Sequence, residues 1–237
     1  MEANKEMVLA TGNTMRILSY LLLAVLLTGC TSVFGQERPT LTPEQVKDII
    51  RRAEQGKARA QTVLGGLYFF GQGVPKDYQL ALKWFKRASV QGNARAQFML
   101  GNLYKEGLGV PQDDQLAVKW YRKSAEQGVV AAQFNLALIY WESNVVPQDD
   151  QLAAKWFRKA ADQGYASAQG ALGYINAEGK GVPKDYVLAY KWFNLATAQG
   201  DKDAAKARDE LAKFMTPSQI QEAQRLARAF KPKKKKP

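Results

Sequence analysis

The sequence predicts an all-α protein built as a solenoid, in which helix–turn–helix repeats of 36 residues stack side by side. Three observations lead to this prediction. A tryptophan followed by a second aromatic residue recurs in one register, at Trp84, Trp120, Trp156 and Trp192. Around this pair, small and apolar residues follow the i, i+3, i+4, i+7 spacing of a helix face. Between the two helices of most repeats lies Gly-x-Gly-Val-Pro, which a helix interior does not tolerate.

The first thirty residues have the composition of an export signal. Lys5 and Arg16 precede residues 17–28, an apolar run without charge. This run is too short to span a bilayer, which takes about 20 residues, but it suits the apolar core of a secretory signal. It ends in Leu-Thr-Gly before Cys30, which resembles the cleavage box of bacterial lipoproteins. We therefore predict a lipid anchor at Cys30, with ordinary signal cleavage after Gly35 as the alternative.

The signal also predicts where the mature protein works. Thr31 follows the cysteine, and by resemblance to Gram-negative lipoproteins it favours the outer membrane over the inner membrane. The expected location is the periplasm-facing side of the outer membrane, with a periplasmic or secreted protein as the alternative. Met1 and Met15 are both acceptable starts, because the chain from Met15 already contains a complete short signal.

The catalytic inventory of the chain is thin. Its 237 residues include no histidine and a single cysteine, Cys30. This excludes Ser-His-Asp and Cys-His nucleophile pairs, histidine-ligated zinc and an intrachain disulfide. The net charge is +12, but export separates the protein from nucleic acid, so acidic proteins or anionic lipid head groups are the expected partners. No enzyme activity, cofactor or metal is predicted.

The 36-residue register divides the chain into segments. Gln55-Gly56 lies one register step before Gln91-Gly92, which identifies a preceding half repeat. The predicted segments are a signal at 1–30, a linker at 31–42, the half repeat as a capping helix at 43–56, repeats at 57–92, 93–128, 129–164 and 165–200, capping helices at 201–230, and a disordered lysine-rich tail at 231–237.

Two further columns of the register carry structural predictions. An aspartate follows each interhelical loop, where its side chain can cap the free N–H groups of the next helix. These aspartates are Asp77, Asp113, Asp149 and Asp185. Gly65, Gly101 and Gly173 lie inside first helices, where a glycine costs about 1 kcal/mol relative to alanine. We therefore expect a bulky side chain of the Trp and aromatic pairs to approach closely at these glycines.

The combined pattern resembles a known family. A repeat reads Ala-x-Ala-Gln-x-x-Leu-Gly-x-x-Tyr-x-x-Gly-x-Gly-Val-Pro-x-Asp, then Ala-x-x-Trp-Phe-x-x-Ala and Gln-Gly, which is similar to the Sel-one-like repeat, a relative of the tetratricopeptide repeat. The resemblance implies a right-handed superhelix that serves as an adaptor and binds a protein or peptide on a concave face lined by the first helices. Repeat 3 departs from the pattern at Ala137, Ser143 and Val145, and repeat 4 departs at Asn176. The loop at 143–146 is therefore expected to differ from the others.

Positions that vary between repeats are candidates for binding a partner. Two such columns lie three residues apart on one face of the first helices. The candidate partner-binding residues are Phe69, Asn102, Lys105, Leu138, Trp141 and Tyr174. Trp141 is the one tryptophan outside the shared register, and a large aromatic at an unconstrained site is typical of a binding anchor. The alternative is that Phe69, Leu138 and Trp141 fill gaps, particularly beside the irregular third loop.

Lysines and arginines recur on the second helices and form what we call the basic ridge. The ridge consists of Lys83, Lys86, Arg87, Lys119, Arg122, Lys123, Lys155, Arg158, Lys159 and Lys191. Because the helix dipole favours cations toward helix C-termini, solvated structural charge is one interpretation. The other is a surface that binds anionic lipid or polymer, extended by the lysines of the tail.

The family resemblance raises one further alternative, a β-lactamase-like secreted enzyme. Some cysteine-rich relatives are linked to β-lactam binding, but they carry paired cysteines in their repeats, and this chain has none there. The Ser-x-x-Lys and Lys-Thr-Gly motifs of β-lactam enzymes are missing as well. The sequence thus favours a binding scaffold over an enzyme.

Overall fold

The structure is a computed structural model, and it describes residues 41–142 and 146–233. Within these residues every regular element is an α-helix, as the sequence predicts. The helices of the described residues are α1 (Pro43–Glu54), α2 (Ala58–Phe70), α3 (Tyr78–Val90), α4 (Ala94–Glu106), α5 (Asp114–Glu126), α6 (Val130–Glu142), α7 (Asp150–Asp162), α8 (Ala166–Glu178), α9 (Tyr186–Thr197), α10 (Lys202–Ala212) and α11 (Pro217–Arg228). The predicted signal with Cys30, the third loop at 143–145 and the last four residues lie outside the described residues.

The helices pack in the order of the chain. α2 with α3, α4 with α5, α6 with α7 and α8 with α9 form four close pairs, which are the first and second helices of the four repeats. The second helix of each pair also packs on the first helix of the next pair. α1 packs on α2 at one end, and both α10 and α11 pack on α9 at the other. The predicted stack, in which each repeat buries its core against its neighbours, is confirmed.

The glycines inside the first helices make room for an aromatic ring of the second helix. A Cβ atom built on Gly65 would lie 2.7 Å from the ring of Phe85, and one on Gly101 would lie 2.5 Å from the ring of Tyr121. Both distances are shorter than real Cβ atoms show. The predicted close approach is confirmed, and the ring belongs to the residue after the tryptophan rather than to the tryptophan itself.

The predicted helix caps are confirmed in all four repeats. Asp77 Oδ1 accepts a 2.9 Å hydrogen bond from the backbone N–H of Leu80. The aspartates at the equivalent positions of the other three repeats accept the same bond from the residue three positions later. In the preceding loop, Gly71 ends α2 with a φ of 69°. Gly109, with a φ of 72°, lies against the backbone of Tyr78, where a Cβ would approach the carbonyl carbon to 2.7 Å. Both the left-handed backbone and the packing therefore require glycine in these loops.

A ladder of glutamines joins successive repeats. The buried Gln97 of α4 donates a 3.5 Å hydrogen bond to the carbonyl of Ser89 near the end of α3. Its Oε1 accepts a 2.7 Å hydrogen bond from Gln127, which follows α5. The same pair of contacts recurs at Gln61 with Gln91, at Gln133 with Gln163, and at Gln169 with Gln199. Because an unpaired buried amide is unfavourable, the ladder explains why both glutamine columns recur.

The chain ends by folding back across the second helices. Residues 229–233, which follow α11, form a segment that we call the C-terminal strap. The ring of Phe230 lies edge-on to Trp192 of α9, with centroids 5.6 Å apart. The Lys233 backbone N–H donates a 2.7 Å hydrogen bond to the carbonyl of Asp162, the last residue of α7. Pro232 and Lys233 belong to the segment 231–237, which the sequence predicts to be a disordered tail, and they contact the stack here while their side chains stay exposed.

Candidate partner-binding surface

The six candidate residues occupy two related phases of four successive first helices. They are Phe69 on α2, Asn102 and Lys105 on α4, Leu138 and Trp141 on α6, and Tyr174 on α8. All are partly exposed except Trp141, which is 8% exposed. Because they are spread over four stacked repeats, the six residues form a row along the stack rather than one pocket. We call this set the first-helix row.

The N-terminal end of the row is apolar and aromatic. The ring of Phe69 packs edge-on against Phe70 at 4.8 Å and against Tyr78 at 5.4 Å, and it covers the core of repeats 1 and 2. Phe70 itself is 47% exposed, at a phase where the other three repeats carry glutamate. This end of the row therefore offers apolar surface beside a packed ring.

The middle of the row is polar. The hydroxyl of Tyr121, on α5, donates a 2.8 Å hydrogen bond to Asn102 Oδ1. Burial raises the pKa of Tyr121 well above its usual range, although a hydrogen bond with Asn135 of α6 opposes the shift. Lys105 Nζ lies 3.4 Å from a carboxylate oxygen of Asp114, in an ion pair that is partly exposed. A buried phenol thus ties the first helices of repeats 2 and 3 together under this part of the surface.

Sequence reasoning missed the part that Tyr121 and Asn135 have in this arrangement. The signal was present in the chain, because Tyr121 is the one tyrosine in a column of phenylalanines. A hydroxyl on a buried ring requires a polar partner, and asparagine at a variable phase of the neighbouring helices supplies it. The Oδ1 atom of Asn102 is therefore already hydrogen-bonded to Tyr121, and only the rest of its amide is available to a ligand.

Repeat 3 buries its extra tryptophan. The ring of Trp141 lies edge-on to Phe157, with centroids 6.4 Å apart. The ammonium group of Lys180, from the loop after α8, lies over the same ring at 5.3 Å. Leu138, one turn earlier on α6, stays partly exposed. These contacts favour the gap-filling interpretation of Trp141 and leave Leu138 as the apolar contribution of α6 to the row.

The C-terminal end of the row is acidic. The ring of Tyr174 packs edge-on against Phe193 with centroids 4.9 Å apart. Burial raises the pKa of Tyr174 to about 12, and the carboxylates of Asp203, Asp201 and Glu178 contribute to the shift in that order. Glu178 already pairs with Lys180 and Asp203 with Lys206, and Asp201 caps α10, so this end is acidic through carboxylates that have partners.

The basic ridge lies on the second helix of each repeat. Its lysines and arginines are exposed or partly exposed. Within the residues that the structure describes, no ridge cation forms an ion pair with a carboxylate. The ridge cations therefore have no ion-pair partner among those residues, although Asp162 lies close enough to Lys191 to oppose the lowering of its pKa by burial and by Arg158.

One ridge position changes its contact between repeats. Arg122 donates a hydrogen bond to the hydroxyl of Tyr140 in the next repeat. Its equivalent, Arg158, lies 5.0 Å over the ring of Trp192 instead. The next repeat has Asn176 in place of the tyrosine, so the arginine has no hydroxyl to bind there. Because repeat 4 has asparagine at this position, Arg158 contacts a tryptophan ring where Arg122 binds a hydroxyl.

In residues 41–142 and 146–233, no group of three or more potential metal ligands occurs. No helix in these ranges has both the length and the apolar character that crossing a bilayer requires.

Comparison with known proteins identifies the repeats. A family model described as Sel1 repeat matches residues 58–93, 94–129, 130–165 and 166–201, each one residue later than the boundaries predicted above. The chain is 36% identical to a Sel1 repeat protein from Oxalobacter formigenes, with a TM-score of 0.68 over 71% of this chain and 49% of that one. It therefore spans about half the length of that relative.

A second solved structure shares the fold alone. It is an immunity protein from Pseudomonas aeruginosa, 23% identical, with a TM-score of 0.50 over 83% of this chain and 75% of that one. No curated protein matches the chain. Four consecutive matches to one repeat model, together with the stack of helix pairs, show that the chain belongs to the Sel1 repeat family.

Proposed function

We propose that this protein is an interaction scaffold that binds a protein or peptide along the first-helix row and catalyses no reaction. Sel1 repeat proteins are in general protein-interaction scaffolds. The proposal rests on a difference between the positions that recur in every repeat and those that vary. Residues that recur in every repeat hold the stack together, as the glutamine ladder and the aspartate caps show. Residues that vary between repeats on the first helices mostly stay partly exposed.

The chemistry of the row favours an extended partner segment. Phe69 and Leu138 offer apolar contacts, Lys105 offers a cation in the middle, and Tyr174 lies in an acidic setting at the far end. A segment that fits carries apolar side chains, an acceptor or acid near Lys105, and a lysine or arginine near Tyr174.

Site-specific photo-crosslinking tests the row. A photoreactive amino acid is placed at Lys105 or Leu138 on the first helices, and at Lys119 or Lys155 on the ridge as matched surface controls. We expect one partner protein to be crosslinked from the first-helix positions and not from the ridge. Crosslinking from the ridge positions alone would contradict the proposal. Circular dichroism of each variant checks that the fold is retained.

A second candidate function is binding of an anionic membrane surface through the basic ridge. The uncompensated charge of the ridge favours it. Binding to vesicles that contain anionic lipid would then weaken steeply between low and physiological salt, because exposed charges are screened. The paired variant Lys119→Glu with Lys155→Glu would abolish it. Binding that persists in high salt, or in this variant, rules the ridge out.

We further propose that the scaffold works at the bacterial cell envelope as a lipoprotein anchored through Cys30, facing the periplasm. The leucine-rich run and the Leu-Thr-Gly-Cys sequence support this location. Metabolic labelling with a fatty-acid analogue tests it in wild type and in Cys30→Ser. We expect label on the wild type alone, and an unlabelled wild type would end the lipoprotein proposal in favour of a secreted protein.

A further inference from the structure

The C-terminal strap lies against the second helices of repeats 3 and 4. We call the residues that it contacts there the strap notch: Trp192, Lys191, Asp162 and Gly164. Phe230 lies edge-on to Trp192 at 5.6 Å, and a Cβ on the glycine of the notch would lie 3.4 Å from Pro232. Lys233 binds Asp162 twice, through its backbone N–H and through its ammonium group, each at 2.7 Å. The notch therefore holds a short peptide by an aromatic ring, a backbone hydrogen bond and a charge.

Covering the end of the stack does not require this strap. α10 and α11 already pack on α9 and share a buried cluster with it. The strap runs past that cap to α7, in the repeat before. Its hold rests on few contacts, and its ion pair involves a Lys233 side chain that is 75% exposed. Since such pairs contribute little stability, the strap can leave the notch while the helices stay folded.

The strap notch differs from the equivalent place one repeat earlier. One repeat earlier, Glu126 stands at the position equivalent to Asp162, and Trp156 stands at the position equivalent to Trp192. The ring of Trp156 is covered by Lys159 at 4.0 Å. In repeat 4, Leu195 replaces that cation. The ring of Trp192 instead meets two cations from other positions, Lys191 at 4.2 Å and Arg158 at 5.0 Å, together with the edge-on ring of Phe230.

The strap leaves one donor of the notch unused. Trp192 is fully buried, yet its indole N–H has no acceptor among the residues that the structure describes. A buried donor without a partner is unfavourable. A different segment that brings a carbonyl or hydroxyl oxygen to this N–H would make a hydrogen bond that the strap does not make.

We propose that the strap notch is a docking site for a basic segment of a partner protein, and that the strap is its competitor within the chain. The strap shows what fits: an aromatic residue followed three positions later by a lysine. The partner's aromatic ring takes the place of Phe230, its lysine pairs with Asp162, and an oxygen of its backbone or side chain accepts from the Trp192 indole. This site is separate from the first-helix row and does not depend on it.

The test uses the full chain and a labelled peptide. The probe is a fluorescent peptide with the sequence of residues 226–237, and fluorescence anisotropy measures its binding. The strap is opened by Phe230→Ser with Lys233→Ser. We expect the opened chain to bind the probe at least about tenfold more tightly than wild type, because the tethered strap competes at high local concentration. Lys233→Ser alone, which leaves the aromatic contact intact, should give an intermediate affinity.

Matched controls separate docking from general attraction of a basic peptide. A peptide with alanine in place of the phenylalanine keeps every charge and should not bind. In the opened chain, Asp162→Asn should weaken binding about twofold to fivefold, in line with an exposed ion pair. Glu126→Gln, at the same phase one repeat earlier, should leave binding unchanged.

Three results would overturn the proposal. An opened chain that keeps its circular dichroism spectrum but does not bind the probe shows that the strap is only a structural cover. Equal binding to wild type and opened chain, or to the peptide without its phenylalanine, shows that the notch is not the site. A wild-type dimer that Phe230→Ser dissociates in sedimentation analysis assigns the notch to the strap of a second copy instead of a partner.

Discussion

The first three repeats and the fourth carry the same tryptophan on the second helix but cover it differently. Trp84, Trp120 and Trp156 each have a cation three residues later that lies over the ring, at 4.8, 4.9 and 4.0 Å. In repeat 4 that position is Leu195. The ring of Trp192 is covered by Lys191 at 4.2 Å, by Arg158 of repeat 3 at 5.0 Å and by Phe230 of the C-terminal strap at 5.6 Å. One column of the register thus has two solutions.

These tryptophans occupy equivalent positions in their repeats, but they differ in how deeply they are buried. Trp84 is 8% exposed and Trp156 is 7% exposed, whereas Trp192 is fully buried. In repeats 1 to 3 the cation three residues later covers the tryptophan, and water still reaches that cation. Trp192 has two cations from other positions and, in addition, an aromatic ring from outside the repeats.

The largest effect is expected from removing the tryptophan itself. Trp156→Ala and Trp192→Ala should each lower the free energy of unfolding by about 3–5 kcal/mol, since each leaves a cavity at the junction of two repeats. The loss at Trp192 should be the greater, because its ring is fully buried and also carries Phe230. Urea unfolding followed by circular dichroism measures both. A clearly greater loss at Trp156 would refute the comparison.

A smaller effect separates the two covers. Phe230→Ala removes an edge-on aromatic contact and should lower the free energy of unfolding by about 1–2 kcal/mol. Lys159→Ala, which removes the corresponding cover in repeat 3, should cost less than about 1 kcal/mol. The same urea titration compares them, and equal losses would show that the covers are interchangeable.

A rescue experiment tests whether a lysine at position 195 can compensate for the loss of the Phe230 ring. In the Phe230→Ala background, Leu195→Lys places a cation where the other repeats have one. It should recover at most about 0.5 kcal/mol, because Lys191 and Arg158 already lie over the ring. In the wild-type background the same substitution should recover nothing, because the ring is already covered. A double-mutant cycle from four unfolding curves gives this coupling. Absence of coupling would mean that Leu195 and Phe230 do not share the Trp192 ring.

The smallest effect concerns the acidic end of the first-helix row, which is also particular to repeat 4. The pKa of Tyr174 is about 12 in the folded protein, above its ordinary value of 10.0. The folded protein keeps this proton at a pH where the unfolded chain releases it. The contribution of Tyr174 to stability is thus present below pH 10 and is lost as the pH rises toward 12. Tyr174→Phe should flatten the fall in stability over this interval in urea unfolding, and an unchanged slope would contradict the assignment.

Most of the fold could be predicted from the sequence because each repeat is an internal copy of the others. The caps at the aspartates and the close approach at Gly101 follow from residue types that have few uses at those phases. The strap could not be predicted, because Lys233 contacts Asp162 across 71 residues and this contact has no copy among the residues that the structure describes.

The first-helix row was harder to predict than the framework. Variation between repeats identifies positions that the stack does not fix, but it does not tell an exposed side chain from one that fills a local gap. Trp141 illustrates this, since its burial depends on Phe157 and Lys180 rather than on its own register. The partner of Asn102 likewise depends on a single hydroxyl, that of Tyr121.

The most direct test of the central claim compares a framework residue and a row residue on the same helix, α4. Shared positions build the stack, and varying positions form its surface. Gln97→Ala should therefore lower the free energy of unfolding by about 1–3 kcal/mol, because it removes a buried side chain and its hydrogen bonds to the Ser89 carbonyl and Gln127. Lys105→Ala should change it by less than about 0.5 kcal/mol. Urea unfolding of the two variants side by side decides the matter. Equal losses, or a greater loss at Lys105, would contradict the account.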